Sequence, residues 1–165
     1  MRGLLLIMLL VPTVFGIFKP PDPKKLLARD HFFFNVTLVC LVHNWKYKVQ
    51  FFETDGWFSS NDRLTHASYA RGFQGQNNFQ MEGYMQGDEA LSDGYSPMMT
   101  VDHNCMTPGN EEARLNVHIL PYCKIGSGEC QYEISKHVTG YVGEYTVTST
   151  IDVNPKKIEI IEFKK

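Results

Sequence analysis

Histidines are the residues of this chain best suited to acid-base or metal chemistry. There are six of them: His31, His43, His66, His103, His118 and His137. None belongs to a known catalytic motif, because the sequence contains no Gly-x-Ser-x-Gly elbow, no His-Glu-x-x-His and no phosphate-binding loop. Asp102 and His103 are neighbours, so on a strand their side chains would point to opposite faces and could not act as a pair. His103 is therefore predicted to be a structural residue, hydrogen-bonded at the edge of the fold.

The cysteines can form either disulfides or a metal site. An even number in an exported chain predicts two disulfides, and three pairings are possible among Cys40, Cys105, Cys123 and Cys130. Zinc is the competing interpretation, but six residues separate Cys123 from Cys130, which is too many for a zinc knuckle. We therefore predict four oxidised cysteines and no metal. Cys123 and Cys130 flank a glycine-containing loop and are expected to be close enough for a local bridge.

Two further sites follow from short patterns. Asn35-Val36-Thr37 is an acceptor triplet for N-glycosylation at Asn35. Trp57 and Phe58 follow a turn at Asp55-Gly56 and precede a polar run over residues 59–62. An aromatic pair in such a loop could contact a partner, which makes Trp57 and Phe58 the predicted binding residues. The competing interpretation is that the pair caps the open end of the fold.

The first sixteen residues have the form of a cleaved signal peptide. Arg2 is the only charge, an apolar block covers residues 4–11, and Gly16 provides a small residue at the cleavage position. The block is much shorter than the roughly 20 residues that cross a bilayer. A short membrane anchor is the alternative, but no second apolar span or basic stop-transfer cluster follows. The protein is thus predicted to be secreted, without a membrane span once residues 1–16 are removed.

The remainder is of single-domain size, and its charge excludes some partners. Residues 17–31 contain Pro20, Pro21 and Pro23 and are predicted to be an extended leader, with one domain over residues 32–165. The formal net charge is −2 and no run of basic residues resembles a site for a phosphate backbone. Nucleic acid is therefore not an expected partner.

Apolar residues alternate with polar ones, as in half-buried strands. The segments are Phe34–Val42, Tyr47–Phe51, Leu115–Ile119 (ended by Pro121), Tyr145–Val153 and a closing strand over Ile158–Phe163. Phe34–Val42 is more uniformly apolar than the other segments, as is typical of a central strand covered on both faces. Turn-rich segments separate these runs, and helical periodicity is nearly absent. The pattern predicts an all-β sandwich of two antiparallel sheets with seven to eight strands.

Several segments of this chain are similar to segments of one protein family, and they occur in the same order along the sequence. Residues 97–105 have the pattern Pro-x-apolar-x-apolar-x-His-x-Cys, and this fifth strand resembles the transthyretin-like family of secreted proteins that is expanded in nematodes. Leu38-Val39-Cys40 resembles the first-strand Leu-x-Cys of that family, residues 49–55 its second strand, and residues 79–83 its Phe-x-Leu-x-Gly. Gln74 and Asn77 replace an Asp and a Gly of the family. We expect Asn77 to preserve the turn, because Asn tolerates the left-handed conformation. A C-terminal cysteine that the family commonly ties to the first strand is absent.

The resemblance implies a transthyretin-like sandwich that acts outside the cell by binding, without cofactor. Partners expected on this basis are a protein, a cell surface or a small apolar ligand. A secreted enzyme, possibly a hydrolase, is the alternative. The hydroxyisourate hydrolases of related fold end in Tyr-Arg-Gly-Ser, whereas this chain ends in residues 161–165, Ile-Glu-Phe-Lys-Lys. We therefore predict binding without catalysis.

Overall fold

A computed structural model describes residues 29–54, 60–87, 92–107 and 111–152, with only the backbone for 150–152. The predicted signal peptide, most of the predicted leader and the predicted closing strand Ile158–Phe163 lie outside these residues. The described residues form strands and no helix. The strands are β1 (Arg29–Cys40), β2 (Trp45–Glu53), β3 (Asp62–Arg63), β4 (Ser68–Gly72), β5 (Gly75–Gln86), β6 (Gly94–Tyr95), β7 (Pro97–His103), β8 (Ala113–Leu120), β9 (Cys123–Lys124), β10 (Glu129–His137), β11 (Gly143–Thr148) and β12 (Thr150–Asp152).

Two sheets pack face to face, which confirms the all-β sandwich. The four-stranded sheet has the order β12-β10-β1-β5, and the six-stranded sheet has the order β11-β8-β7-β2-β3 with β4 also paired to β2. A small third sheet pairs β6 with β9. Eight of the strands have five or more residues, in agreement with the predicted number.

The prediction that both sheets are purely antiparallel is wrong. β1 pairs with β10 in parallel, and β8 pairs with β11 in parallel. Between the two strands of each parallel pair, the chain contributes strands to the opposite sheet. This crossover allows the later strand to run beside the earlier one in the same direction. Alternation of side chains indicates which face is buried and carries no information on strand direction.

A single apolar layer fills the space between the sheets. Every second residue of β1, from Phe32 to Cys40, is buried, and so is every second residue of β2. The rings of Phe34 and Phe51 stack across the layer with centroids 3.7 Å apart. Each such buried side chain contributes about 1.5–3 kcal/mol to the free energy of folding.

The sequence predicted that both faces of β1 would be covered, but the face that points away from the apolar layer is covered only in part. Its residues are half-buried, because neighbouring side chains of the same sheet shield them. His31 lies between Phe33 and Tyr84, with ring centroids 3.9 and 4.0 Å away. No second layer lies on this face among the described residues.

The predicted strand Tyr145–Val153 is divided at Ser149. β11 pairs with β8 in the six-stranded sheet, whereas β12 pairs with β10 in the four-stranded sheet. Ser149 is buried between them, and its hydroxyl bonds to the backbone N–H (2.9 Å) and carbonyl (2.8 Å) of Glu133. The amide of Ser149 donates to the Leu120 carbonyl at 2.7 Å. Ser149 thus forms hydrogen bonds with backbone groups of both sheets at the point where the chain changes sheet.

The structure contains the two predicted disulfides. Cys40 is bridged to Cys105 and Cys123 to Cys130, with Cα atoms 6.1 Å apart in both. The second is the expected local bridge. The first-strand cysteine is joined to the cysteine of the His-x-Cys pattern, which lies 65 residues further along the chain.

β1 begins at Arg29, within the segment assigned to the leader from sequence. Asp30 is fully buried, and its carboxylate accepts hydrogen bonds from the amides of Gly126 (2.8 Å) and Gly128 (2.7 Å). These amides belong to the loop that the Cys123–Cys130 bridge closes. Asp30 therefore anchors the start of β1 to this loop.

Candidate binding surface

The predicted contact residues Trp57 and Phe58 lie outside the described residues, in the segment that joins β2 to β3. Their assignment stays a prediction. The described part of the chain brings other exposed apolar residues together at the end of the sandwich where β2 begins.

His103 has the structural role predicted from the sequence. It is only 2% exposed, its Nδ1 accepts the amide hydrogen of Cys105 (3.2 Å), and its Nε2 lies 3.1 Å from the Tyr141 carbonyl. The neutral ring therefore carries its hydrogen on Nε2 and donates it to Tyr141. Burial lowers the pKa of His103 below its usual value, which keeps the ring neutral. Both ring nitrogens therefore lie within hydrogen-bond distance of backbone groups.

Asp102 faces away from His103, as the strand geometry requires. Its carboxylate accepts two hydrogen bonds from Arg114, at 2.6 and 3.1 Å, and one from Lys48 at 3.4 Å. The hydrogen bond from Arg114 lowers the pKa of Asp102, and Lys48 acts in the same direction. Asp102 is thus a fixed anion on the outer face of the six-stranded sheet.

Two general features of the described residues bear on possible chemistry. No group of three or more His, Cys, Asp or Glu side chains among them is placed to hold a metal ion. In the same part of the chain, no helix has the length and apolar character needed to cross a membrane.

Three turns at one end of the sandwich carry exposed apolar side chains. They follow β1, β4 and β10. Cys40 at the end of β1 is paired with Gly75, which directly follows the turn after β4, and Val39 is paired with His137 at the end of β10. We call the exposed residues on these turns, Leu41, Phe73 and Val142, the end surface. The Cys40–Cys105 bridge fixes the base of the first turn.

Phe73 is the most exposed of these residues, although its backbone is firmly held. Its side chain is 78% exposed. Its amide donates to Oδ1 of Asn77 at 2.8 Å, and its carbonyl accepts bonds from Nδ2 of Asn77 (2.8 Å) and Nε1 of Trp45 (3.1 Å). The buried Trp45 indole packs where a Cβ on Gly72 would otherwise lie. The ring is therefore held outward by a fixed backbone.

Asn77 preserves this turn by a different means from the one expected. The left-handed conformation falls on Gly75, at φ 103°, and not on Asn77. Asn77 instead uses its side-chain amide, which also donates to the Gly75 carbonyl at 3.2 Å. Asn is suited to this role because its amide can donate and accept at once.

Hydrogen bonds connect the first turn to the other two. The Leu41 carbonyl accepts a bond from Nε2 of Gln74 at 3.1 Å, and the Leu41 amide donates to Oγ1 of Thr139 at 2.8 Å. The Leu41 side chain is 57% exposed. The three turns therefore form one connected surface.

A cation lies beside the end surface. The Lys136 ammonium is 4.0 Å from the ring centroid of Tyr145 and 4.7 Å from that of Tyr141, which precedes Val142. Desolvation lowers the pKa of Lys136. Lys136 is thus held by cation–π contacts within reach of the end surface.

Asn35, the predicted glycosylation site, lies on the outer face of the four-stranded sheet together with Thr37. Its Nδ2 donates to Oε1 of Glu133 at 2.5 Å. A glycan on this nitrogen would replace that bond and extend away from both the end surface and the six-stranded sheet.

Sequence reasoning did not identify Phe73 as a contact residue. The available signal was an aromatic residue between Gly72 and Gly75. The link to Leu41 had no signal, because it depends on a contact between turns that are 33 positions apart.

No family model, curated protein or solved structure matches this chain in comparisons with known proteins.

Proposed function

We propose that this chain is a secreted binding module of the transthyretin-like type, which engages an extracellular protein through its end surface and performs no catalysis. The observation that carries the proposal is Phe73, whose ring is exposed while three hydrogen bonds fix its backbone. Because the backbone is already ordered, binding costs only the rotamer entropy of the side chain, and exposed aromatic residues of this kind dominate the energy of many protein interfaces.

The arrangement of the matching segments supports the proposed family. Leu38-Val39-Cys40 ends the first strand, residues 49–53 end the second, and the Phe-x-Leu-x-Gly-like residues lie within β5. Pro97–His103 forms β7, which is the fifth strand when the two-residue strands β3 and β6 are left out. The His-x-Cys pattern also has a physical reason, since the ring of His103 accepts the Cys105 amide hydrogen.

A protein is the favoured partner among those expected from sequence. The side chains of Leu41 and Phe73 protrude from turns, and protruding apolar groups fit into a pocket on another molecule. Enclosing a small apolar ligand would need a concave apolar cavity. The two disulfides fit an extracellular location.

The test compares two double variants of the full mature chain. Leu41→Ala/Phe73→Ala removes two of the three side chains of the end surface, and Leu120→Ala/Tyr122→Ala removes exposed apolar residues at the opposite end. A partner captured by cross-linking from extracellular fluid would be purified, and its Kd measured by calorimetry. We expect binding at least about tenfold weaker in the first variant, or about 1.4 kcal/mol, and nearly unchanged in the second. Unfolding free energies should stay within about 0.5 kcal/mol of the parent.

Three results would contradict the proposal. Equal losses in both double variants would show that the end surface has no special role. A loss confined to Trp57→Ala/Phe58→Ala in a folded protein would move the contact to the β2–β3 segment, whereas destabilisation by several kcal/mol would assign that pair to the core. Measurable turnover that disappears on changing His103 would overturn the non-catalytic function.

A further inference from the structure

The outer face of the six-stranded sheet collects basic side chains from separate parts of the chain. Residues directly opposite on neighbouring antiparallel strands point to the same face. Lys46 lies opposite Arg71, Lys48 opposite Asp102, and Asp102 opposite Arg114. Arg63 lies opposite the outward Phe52. We call this set the basic face: Lys46, Lys48, Arg63, Arg71 and Arg114.

Charge is segregated between the two outer faces of the sandwich. Of the described residues that lie on the strands of the six-stranded sheet, only Asp102 and Glu144 place carboxylates on its outer surface. The outer surface of the four-stranded sheet has the opposite balance, with Glu82, Glu129 and Glu133 against Arg29. The net charge of the whole chain is −2, so the basic face is a local feature that composition conceals.

Two open grooves cross the basic face and meet at Lys48 and Gln50. One has a volume of about 600 Å³ and extends past Arg63 and Tyr69 to Glu82 of β5, so one carboxylate lies among its lining residues. The other has a volume of about 240 Å³ and extends toward Arg114. Amide, hydroxyl and charged groups line much of both, so they suit a polar ligand of extended shape.

Asp102 orders part of the basic face without neutralising it. It holds Lys48 and Arg114 by hydrogen bonds, and one carboxylate between two cations leaves an excess positive charge. Lys46, Arg63 and Arg71 have no carboxylate within 4.0 Å in the part of the chain that the structure describes. Their charges are therefore available to an anionic ligand.

An aromatic ring continues the row of charges. Tyr69 is 74% exposed, and its ring centroid lies 5.9 Å from the Lys48 ammonium. Tyr69, Lys48, Asp102 and Arg114 occupy successive strands β4, β2, β7 and β8. With strands about 4.8 Å apart, the row spans about 14 Å, which exceeds the size of a single sulfate or phosphate.

We propose that the basic face binds a sulfated polysaccharide of the cell surface or extracellular matrix. Such a chain carries sulfates on successive units and presents the flat faces of sugar rings. The sulfates complement the cations of the basic face, of which Lys48, Arg63 and Arg114 line the grooves. The ring of Tyr69 provides a platform for one sugar. A flat bilayer would not enter the grooves, and nucleic acid binding ordinarily relies on several aromatic residues, whereas this row contains one. The inference rests on the extracellular location and is independent of the end surface.

The test uses a heparin oligosaccharide of defined length as the probe, with Kd measured by calorimetry at several NaCl concentrations. Lys46→Gln/Arg71→Gln removes two charges from the basic face. Arg29→Gln/Lys124→Gln removes two exposed charges elsewhere, so both variants have the same net charge. We expect the first variant to bind about tenfold more weakly and the second within about twofold of the parent.

The salt dependence provides a second readout. Each lost contact with an anion should lower the slope of log K against log salt by about one, hence by about two in Lys46→Gln/Arg71→Gln. Tyr69→Ala should weaken binding and leave the slope unchanged, because its ring carries no charge. Equal weakening in the two charge variants, or equally tight binding of desulfated heparin, would overturn the proposal. So would tighter binding of a single-stranded oligonucleotide or of anionic phospholipid vesicles at the same salt concentration.

Discussion

His103 is a buried histidine whose ring forms hydrogen bonds with backbone groups. Its two ring nitrogens bond to the backbone of Tyr141 and of Cys105, and Cys105 is half of the Cys40–Cys105 bridge. The ring therefore connects the end of β7 to the turn after β10. Its burial also makes the stability of the fold depend on pH.

The direction of that dependence follows from the lowered pKa of His103. Below pH about 6.5 the unfolded chain takes up a proton on this residue while the folded chain keeps it neutral. Stability is therefore fully present above this pH and decreases as the pH falls below it. We expect the unfolding free energy, from urea denaturation, to fall between about pH 7.5 and about pH 5.5. His103→Gln should show a smaller fall, and an identical fall in both proteins would contradict the assignment.

At the scale of single residues, the sequence predicted what depends on strand alternation. The opposite orientations of Asp102 and His103 follow from a period of two, and the structure confirms them. Phe73 and the basic face were not predicted. Lys46 and Arg71 are 25 positions apart, and they become neighbours only because β2 and β4 pair. A search for runs of basic residues in the sequence cannot detect such a set.

Ser149 determines how the last described strands are divided between the sheets. Its hydroxyl satisfies both backbone groups of Glu133 at the point where the ladder of β12 begins. A buried backbone group that loses its partner costs free energy, so this hydroxyl stabilises the change of sheet.

We therefore expect Ser149→Ala to lower the unfolding free energy by about 1–3 kcal/mol, since the Glu133 groups lose their partner. Ser135→Ala is the matched control, because Ser135 is an exposed serine on the same strand as Glu133. It should change the unfolding free energy by no more than about 0.5 kcal/mol. Denaturant titration measures both, and similar values for the two variants would contradict this role.

Element type and core orientation were predictable, whereas strand partners were not. The alternation over Tyr47–Phe51 and Leu115–Ile119 correctly located β2 and β8. Over Tyr145–Val153 the same alternation continues through Ser149 and gives no sign that the hydrogen-bonding partner changes from β8 to β10. Partner choice depends on contacts between distant segments, which local patterns do not contain.

At the scale of the whole molecule, the predictions on export can be tested in one measurement. Intact mass spectrometry of the exported protein should give a chain that starts at Ile17, and its mass should rise by four hydrogens on reduction of two disulfides. The reduced sample is the control. A chain that retains residues 1–16, or a free thiol in stoichiometric amount, would contradict these predictions.

A heterogeneous increase in mass that is removed by a glycosidase would identify Asn35 as modified, and Asn35→Gln should abolish it.

The chain crosses between the two sheets at both long edges of the sandwich. The turn between β4 and β5 joins the sheets at one edge, and the β11–β12 connection at Ser149 joins them at the other. The two sheets therefore cannot separate along either edge while the backbone hydrogen bonds between their strands stay intact. Exposure of the apolar layer by separation of the sheets would require the breaking of strand pairs beside one of these two connections.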